Sequence, residues 1–274
     1  MIIITGATSF IGMNLLEGME KKGINSVSLV RNKEDLKKFG EIKKSKFVFG
    51  DLNLVNSFEK HIKKNSVIIH LANITDSDNP NIYYTNVEGT RKLLRVCKKK
   101  KVKNFIYLSS SNVGKNQKDR YDSSKFICEL LVKKSSLPYT IIRPSVIYGK
   151  YDYKNIFLQI KNLQNKRFKI FLGNKKDIQP VYVGDVIDLI LNNLENKKNK
   201  IITITTPPMT KKEFIRTIKK VFSLKLIYIF IPNFIANFLI NPKEEVFLFS
   251  KEELKKELRR EPTSFENGLR SLQK

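Results

Sequence analysis

Short runs of β-branched and aromatic residues alternate along the chain with longer stretches whose apolar positions recur every three or four residues. That alternation predicts strand–helix–strand units assembled on a parallel sheet, an α/β doubly wound fold. The runs Ile2–Thr5, Ser26–Val30, Lys46–Phe49, Val67–Leu71, Asn104–Leu108, Tyr139–Ile142 and Ile201–Ile204 read as strands. Ile11–Lys22, Tyr84–Lys100 and Tyr121–Ser135 read as amphipathic helices between them. After Gly149 the alternation fades: Tyr151–Gly173 and Pro207–Lys274 carry helices and short strands without an evident parallel partner, whereas Pro180–Leu194 and Ile201–Ile204 read as a return to the sheet. The expected division is therefore 1–150 with about 177–206 in the sheet domain, and about 151–176 with 207–274 in a smaller, discontinuous α+β lobe.

The 274 residues, 41% of them apolar, suffice for one large domain with a small second lobe and exclude a disordered chain. Lys and Arg number 52 against 26 Asp and Glu, a formal charge of +26. The lysine runs Lys98–Lys103 and Lys197–Lys200 fall where helices should end, where cations favour the dipole and remain solvated. No aromatic stacking motif or basic recognition helix accompanies them, so no specific nucleic-acid partner is expected. Cys97 and Cys128 stand in no shared motif, which argues against a disulfide framework and for a reducing, cytoplasmic setting. His61 and His70 lack neighbours at ligand spacing, so no metal centre is expected. No signal peptide is expected from the start of the chain. Leu224–Ile240 is interrupted by Lys225, Pro232, Asn233 and Asn237 and is shorter than the roughly 20 residues of a membrane span. It reads either as a buried strand at Ile227–Ile231 followed by a helix from near Pro232, or as an apolar surface for weak contact with a membrane or partner.

Thr5-Gly6-Ala7-Thr8-Ser9-Phe10-Ile11-Gly12 leads from the first strand into the first helix, so backbone N–H groups of a tight turn and a helix N-terminus face one point, where a pyrophosphate belongs. Ser9 stands where such turns usually have their middle glycine; its N–H stays open while its Cβ narrows the approach. The second strand ends Ser28-Leu29-Val30-Arg31-Asn32 with no carboxylate for the ribose hydroxyls of NAD. Arg31 suits a 2′-phosphate, which favours NADP over NAD; a solvated arginine is the competing reading. Asp51 follows the third strand and reads either as an acceptor for the adenine amino group or as a simple turn aspartate. In Tyr121-Asp122-Ser123-Ser124-Lys125 the tyrosine and lysine lie one helical turn apart, so the ammonium is expected to lower the phenol pKa toward neutrality. Ser109-Ser110-Ser111, at the end of the fifth strand, supplies a hydroxyl able to polarise a carbonyl.

At these residues the chain resembles the short-chain dehydrogenase/reductase superfamily, and within it the extended NAD(P)-dependent epimerase/dehydratase family of nucleotide-sugar enzymes. The resemblance runs through the glycine turn, Gly50-Asp51-Leu52, His70-Leu71-Ala72, Asn86-Val87-Glu88-Gly89-Thr90, Tyr107–Ser111, Tyr121–Lys125, Arg143–Gly149 and Pro180–Asp185. It implies a Rossmann domain in which Ser110, Tyr121 and Lys125 are catalytic, Ser110 being counted three before Val113 with Ser111 as the alternative. It implies that Gly6, Thr8, Ser9, Phe10, Ile11 and Gly12 line the pyrophosphate, and that Arg31 meets the ribose phosphate. Asp51 and Leu52 would meet the adenine, Leu71 and Ala72 the ribose side, and Pro144 the nicotinamide, with Tyr121 and Lys125 also touching cofactor. His70 and Asn86 are implied to be structural, and a homodimer through two long helices is implied as well. Three departures bear on function. Ser111-Asn112 stands where sugar 4,6-dehydratases have an Asp-Glu pair, which disfavours dehydration. Ile178 stands where nucleotide-sugar epimerases have a diphosphate-binding arginine, leaving Arg167 or a lysine to substitute. The short Ser110-to-Tyr121 spacing is similar to atypical members related to the NADPH-binding accessory subunit of respiratory complex I. The resemblance thus implies hydride transfer between nicotinamide and a sugar-like carbinol or ketone, with a non-catalytic NADPH-binding accessory or sensor protein as the alternative.

Overall fold

A computed structural model describes residues 1–113, 119–154, 156–165, 167–172, 176–231 and 250–273. They form two compact units, Met1–Pro144 with Ile187–Thr203, and Ser145–Val186 with Ile204–Lys274. The first cut falls at Pro144, not near 150, and the chain returns to the first unit at Ile187, not near 177. The cause is a strand pair within the second unit: β7 (Val146–Tyr148) pairs in parallel with β10 (Pro180–Tyr182), which holds both segments together.

The first unit is a seven-stranded sheet. Its strands are β1 (Ile2–Thr5), β2 (Ser26–Val30), β3 (Ser45–Phe49), β4 (Val67–His70), β5 (Asn104–Leu108), β6 (Tyr139–Pro144) and β11 (Lys200–Ile204), in the order β11-β6-β5-β4-β1-β2-β3. Every residue of β2, β4 and β5 is buried, because helices cover both faces of a parallel sheet and leave no solvent side for polar alternation. β1 lies between β2 and β4, with Ile2 opposite Val67 and Thr5 opposite His70. Strand order reverses there, so the connections leaving β1 and β4 part to opposite faces and open a crevice at the carboxyl ends.

Helix α1 (Phe10–Lys21) buries Ile11, Met13, Leu15, Leu16 and Met19. Helix α2 (Gly89–Lys99) buries Leu93, Leu94 and Cys97 and follows a wider π-type turn at Tyr84–Glu88. Helix α3 (Arg120–Lys134) departs from the amphipathic expectation. Beside Cys128 and Val132, its buried positions are Asp122, Ser124, Lys125 and Glu129. Burying such groups requires partners, and Glu129 shows them. Its carboxylate, 1% exposed, accepts hydrogen bonds from Arg143 Nε at 2.8 Å and Nη2 at 2.6 Å, and from Ser109 Oγ at 2.6 Å. α3 is thereby fastened to β6 and to the turn after β5.

In the second unit Tyr148, Ile156, Ile160, Leu163, Phe214, Ile218, Phe265 and Leu269 make a separate core. Asp185, almost fully buried, holds the C-terminal segment by accepting from Arg260 Nη2, Thr263 N–H and Thr263 Oγ1 at 2.6, 2.9 and 2.6 Å. The absence of parallel partners expected beyond Gly149 is corrected twice, by β7–β10 and by β8 (Phe168–Leu172) with β13 (Ile227–Ile231). β13 also departs from the expected buried strand: Ile227 and Ile229 are exposed, because among the described residues β8 and β13 form a two-stranded sheet with a core on one face. The helix expected from Pro232 lies outside the described residues. Among the described residues, no helix is long and apolar enough to cross a membrane.

Removing one member of a buried ion pair strands the other. Arg143→Met should cost about 3 kcal/mol in a urea melt, and Glu129→Met added to it should recover much of that loss. A single-variant cost below about 1 kcal/mol would show that the pair does not fasten α3.

Candidate active site

The glycine turn is defined by close approaches. Gly6 has φ +75°, and a Cβ there would lie 2.5 Å from Ala72 N and 2.7 Å from the Leu71 carbonyl carbon. A Cβ on Gly12 would lie 2.3 Å from the Gly6 oxygen. These contacts press the start of α1 and the end of β4 against one turn. Ser9 has a further role: it is the N-cap of α1, its Oγ accepting from Gly12 N–H at 3.1 Å and donating to the Gly6 carbonyl at 2.7 Å. A serine just before an apolar helical run is a capping signal in the sequence itself. Phe10 and Ile11 open the helix, so their amides have no acceptor in its preceding turn, and the first turn carries no acidic side chain. Thr8 and Phe10 are half-buried and Ile11 is buried.

A chain of hydrogen bonds runs from this turn toward α3. Thr90 Oγ1 donates its single proton to the Asn86 carbonyl at 2.5 Å, so His70 Nε2, 2.9 Å from Thr90 Oγ1, must be the donor there. His70 Nδ1 then accepts from Thr5 Oγ1 at 2.6 Å, and that oxygen accepts the Ala72 amide at 3.3 Å. The sequence of donors requires a neutral imidazole. Burial, with Lys125 nearby, pushes the His70 pKa down to about 3. The Asn86 side chain holds both backbone groups of Ile74 and donates to Ser124 Oγ at 3.0 Å, while Ser124 Oγ donates to the Tyr121 carbonyl at 2.8 Å. Asn86 and Ser124 are 38 positions apart, and no local pattern announces their contact.

Tyr121 and Lys125 lie on the first turns of α3, which Asp119 caps by accepting from the Asp122 amide at 2.8 Å. Lys125 is fully buried. Its Nζ donates to the Leu108 carbonyl at 2.7 Å and sits 4.8 Å from the Tyr107 ring centre and 5.7 Å from that of Tyr121. Burial pushes its pKa down to about 8. The expected lowering of the Tyr121 phenol pKa is reversed: burial, Asp122 and Asp119 hold it above its ordinary value. The ammonium is committed to a carbonyl, and burial outweighs its attraction for a phenolate. Of the three serines, Ser109 gives its proton to Glu129, and Ser111 is buried with its amide donating to the Pro144 carbonyl at 2.9 Å. Ser110 is half-buried and its Oγ accepts the Asn112 amide at 3.2 Å, and among the described residues its own proton has no acceptor. Residues 114–118, between the serines and Tyr121, lie outside the described residues.

Arg31 stands exposed immediately after β2. Asp51 adopts the turn-aspartate geometry: its Oδ1 accepts the Asn53 amide at 2.7 Å and its own amide donates to Ser57 Oγ at 3.1 Å. Leu52 is buried, packed where a Gly89 Cβ would meet it at 2.7 Å. Leu71 is buried and its amide donates to the Thr5 carbonyl, Ala72 is half-buried beside Gly6, and Pro144 is buried at the end of β6. All these residues belong to the first unit, and most stand at the carboxyl ends of its strands.

The dTDP-D-glucose 4,6-dehydratase of Dictyostelium discoideum is 33% identical over 244 residues, covering 71% of this chain and 56% of that protein. The UDP-glucose 4-epimerase of Vibrio cholerae is 29% identical over 231 residues, 72% of this chain and 67% of that one. The chain thus spans little more than half the length of the Dictyostelium relative. Among solved structures, UDP-glucose 4-epimerase of Thermotoga maritima shares the fold with a TM-score of 0.77 at 20% identity, covering 99% of this chain and 96% of its own. The sequence profile of the NAD dependent epimerase/dehydratase family matches residues 2–205, so the chain belongs to that family.

Proposed function

We propose that the protein is an NAD(P)-dependent oxidoreductase or epimerase acting on a carbinol or ketone of a sugar carried as a nucleotide sugar. Support comes above all from Tyr121, Lys125 and the uncommitted hydroxyl of Ser110, grouped at the same end of the sheet as the glycine turn. The dinucleotide fits that turn by its chemistry: two helix-opening amides, no acidic side chain in the first turn, and a positive-φ glycine where any Cβ would strike backbone. Arg31, with no carboxylate at the end of β2, favours the 2′-phosphate of NADP. Once bound, the nicotinamide supplies the hydride acceptor or donor.

Tyr121 carries the proton. Its phenol, held protonated in the cofactor-free chain, is suited to donate to a ketone oxygen, while Ser110 Oγ donates a second hydrogen bond to the same oxygen. The reverse direction needs a base, and Lys125 provides the charge to make one by releasing the Leu108 carbonyl and turning toward the phenol. Ser111-Asn112 lack carboxylates for removing water, so redox or epimerisation chemistry is favoured over dehydration. The named substrates of the relatives, dTDP-D-glucose and UDP-glucose, are the first to assay. The Lys125–Leu108 contact and the raised phenol pKa also suit a second reading, a protein that holds NADPH without turnover. A homodimer through α2 and α3 remains part of the proposal, with Leu130 exposed on the outer side of α3.

NADPH should bind more tightly than NADH in calorimetry, and Arg31→Ala should narrow the gap; NADH tighter by about tenfold, 1.4 kcal/mol, would refute the assignment of Arg31. With an accepted nucleotide sugar, Tyr121→Phe should abolish turnover while sparing NADPH affinity, and Lys125→Met should weaken both. Ser110→Ala should slow turnover by about a hundredfold and Ser111→Ala by less. Turnover retained in Tyr121→Phe would remove the mechanism. Absence of turnover with every sugar, alongside tight NADPH binding, would favour the second reading.

Lys125 also makes a pH prediction. Its folded-state pKa of about 8 lies below the ordinary 10.5, so between those values the unfolded chain binds more protons and stability rises with pH. Across that window the wild type should gain up to about 3 kcal/mol relative to Lys125→Met in urea melts. Parallel pH profiles for the two proteins would contradict it.

A further inference from the structure

In the second unit, the outer face of the β8–β13 pair is apolar and, among the described residues, has no element packed on it. Ile227 lies opposite Phe168 and Ile229 opposite Ile170, and the four side chains are 67%, 50%, 54% and 54% exposed, respectively. The alternate residues Phe171, Tyr228 and Phe230 pack on the second core, with the Phe171 and Phe230 rings stacked at 5.2 Å. Period-two alternation therefore puts apolar residues on both faces of a sheet that has a core on only one. Scattered exposed leucines or isoleucines are ordinary, but four in register on one surface are not.

The two strands and the residues directly before them carry cations and no carboxylate: residues 164–172 and 222–231 include four Lys or Arg and no Asp or Glu. Arg167 directly precedes β8, Lys225 stands just before β13, and both are exposed. A second copy of the chain would bring like charges together on molecules of +26 each, and a nucleic acid could stack a base on Phe168 but would leave the three isoleucines uncovered. An anionic lipid surface satisfies both features at once, with acyl chains for the apolar face and headgroup phosphates for the cations around it.

We propose that the Phe168, Ile170, Ile227 and Ile229 face is a membrane-docking surface for anionic lipid, entering the headgroup boundary without spanning. The full chain should cosediment with phosphatidylcholine–phosphatidylserine vesicles, bind pure phosphatidylcholine much less, and be released by salt. Ile227→Ser with Ile229→Ser leaves the charge unchanged and should weaken binding by about tenfold or more, since two half-exposed apolar side chains lose their burial. The chain has no tryptophan, so Ile229→Trp installs a single reporter whose emission should shift to the blue on anionic vesicles. Four results would each overturn the proposal. They are no binding to anionic vesicles; a serine double variant that binds like the wild type, which reduces the effect to net charge; tryptophan emission unchanged by lipid; and a lipid-free dimer that the serine double variant dissociates, which would make a second copy the occupant.

Discussion

Glu129 is a carboxylate withdrawn from water, and such a group persists only where its acceptor positions are filled. Arg143 from β6 and Ser109 from the turn after β5 fill them. Because these partners come from two adjacent strands, the single residue fixes how α3 sits on the sheet. One turn earlier on the same helix, that placement sets Lys125 against the Leu108 carbonyl and Tyr121 beside it. It also takes up one of the three serines. Ser109 is spent on the carboxylate, Ser111 is buried, and Ser110 is left half-buried with a proton to give.

Lys125 is fully buried and Tyr121 partly so, and burial disfavours the charged form of each, lowering one pKa and raising the other. An amine near its titration point and a phenol kept neutral respond readily to a change in local charge. The His70 chain works the other way. Its imidazole is held neutral and its donors are ordered from Ala72 through to Asn86, so it stiffens the floor of the site without titrating. Rigid backbone at β1 and β4 thus lies beside adjustable charge on α3.

The strands and helices of the first unit were legible in the sequence because their determinants are local. Buried parallel strands favour short runs rich in β-branched and aromatic residues, and their crossover helices need a 3.6-residue period. β5 and α1 follow from those rules to within a residue, whereas β2 buries Ser26 and Ser28 by hydrogen-bonding both to Ser45. The candidate motifs were visible for the same reason, since the glycine turn runs over residues 5–12 and Tyr121 and Lys125 stand four positions apart. Ser9 carries a capping signal as well, by its place directly before an apolar helical run.

Tertiary structure decided what depends on distant partners. The domain cut at Pro144 follows from β7 meeting β10 across more than thirty positions, and the exposed face of β13 follows from its pairing with β8 alone. The sign of the Tyr121 pKa shift was likewise out of reach of spacing. Four residues on a helix bring an ammonium near a phenol, but only the fold supplies the Leu108 carbonyl that captures it and the burial that penalises the phenolate. Periodicity and motif spacing act through the covalent chain, whereas desolvation and hydrogen-bond competition act through space, and the sequence by itself orders only the first.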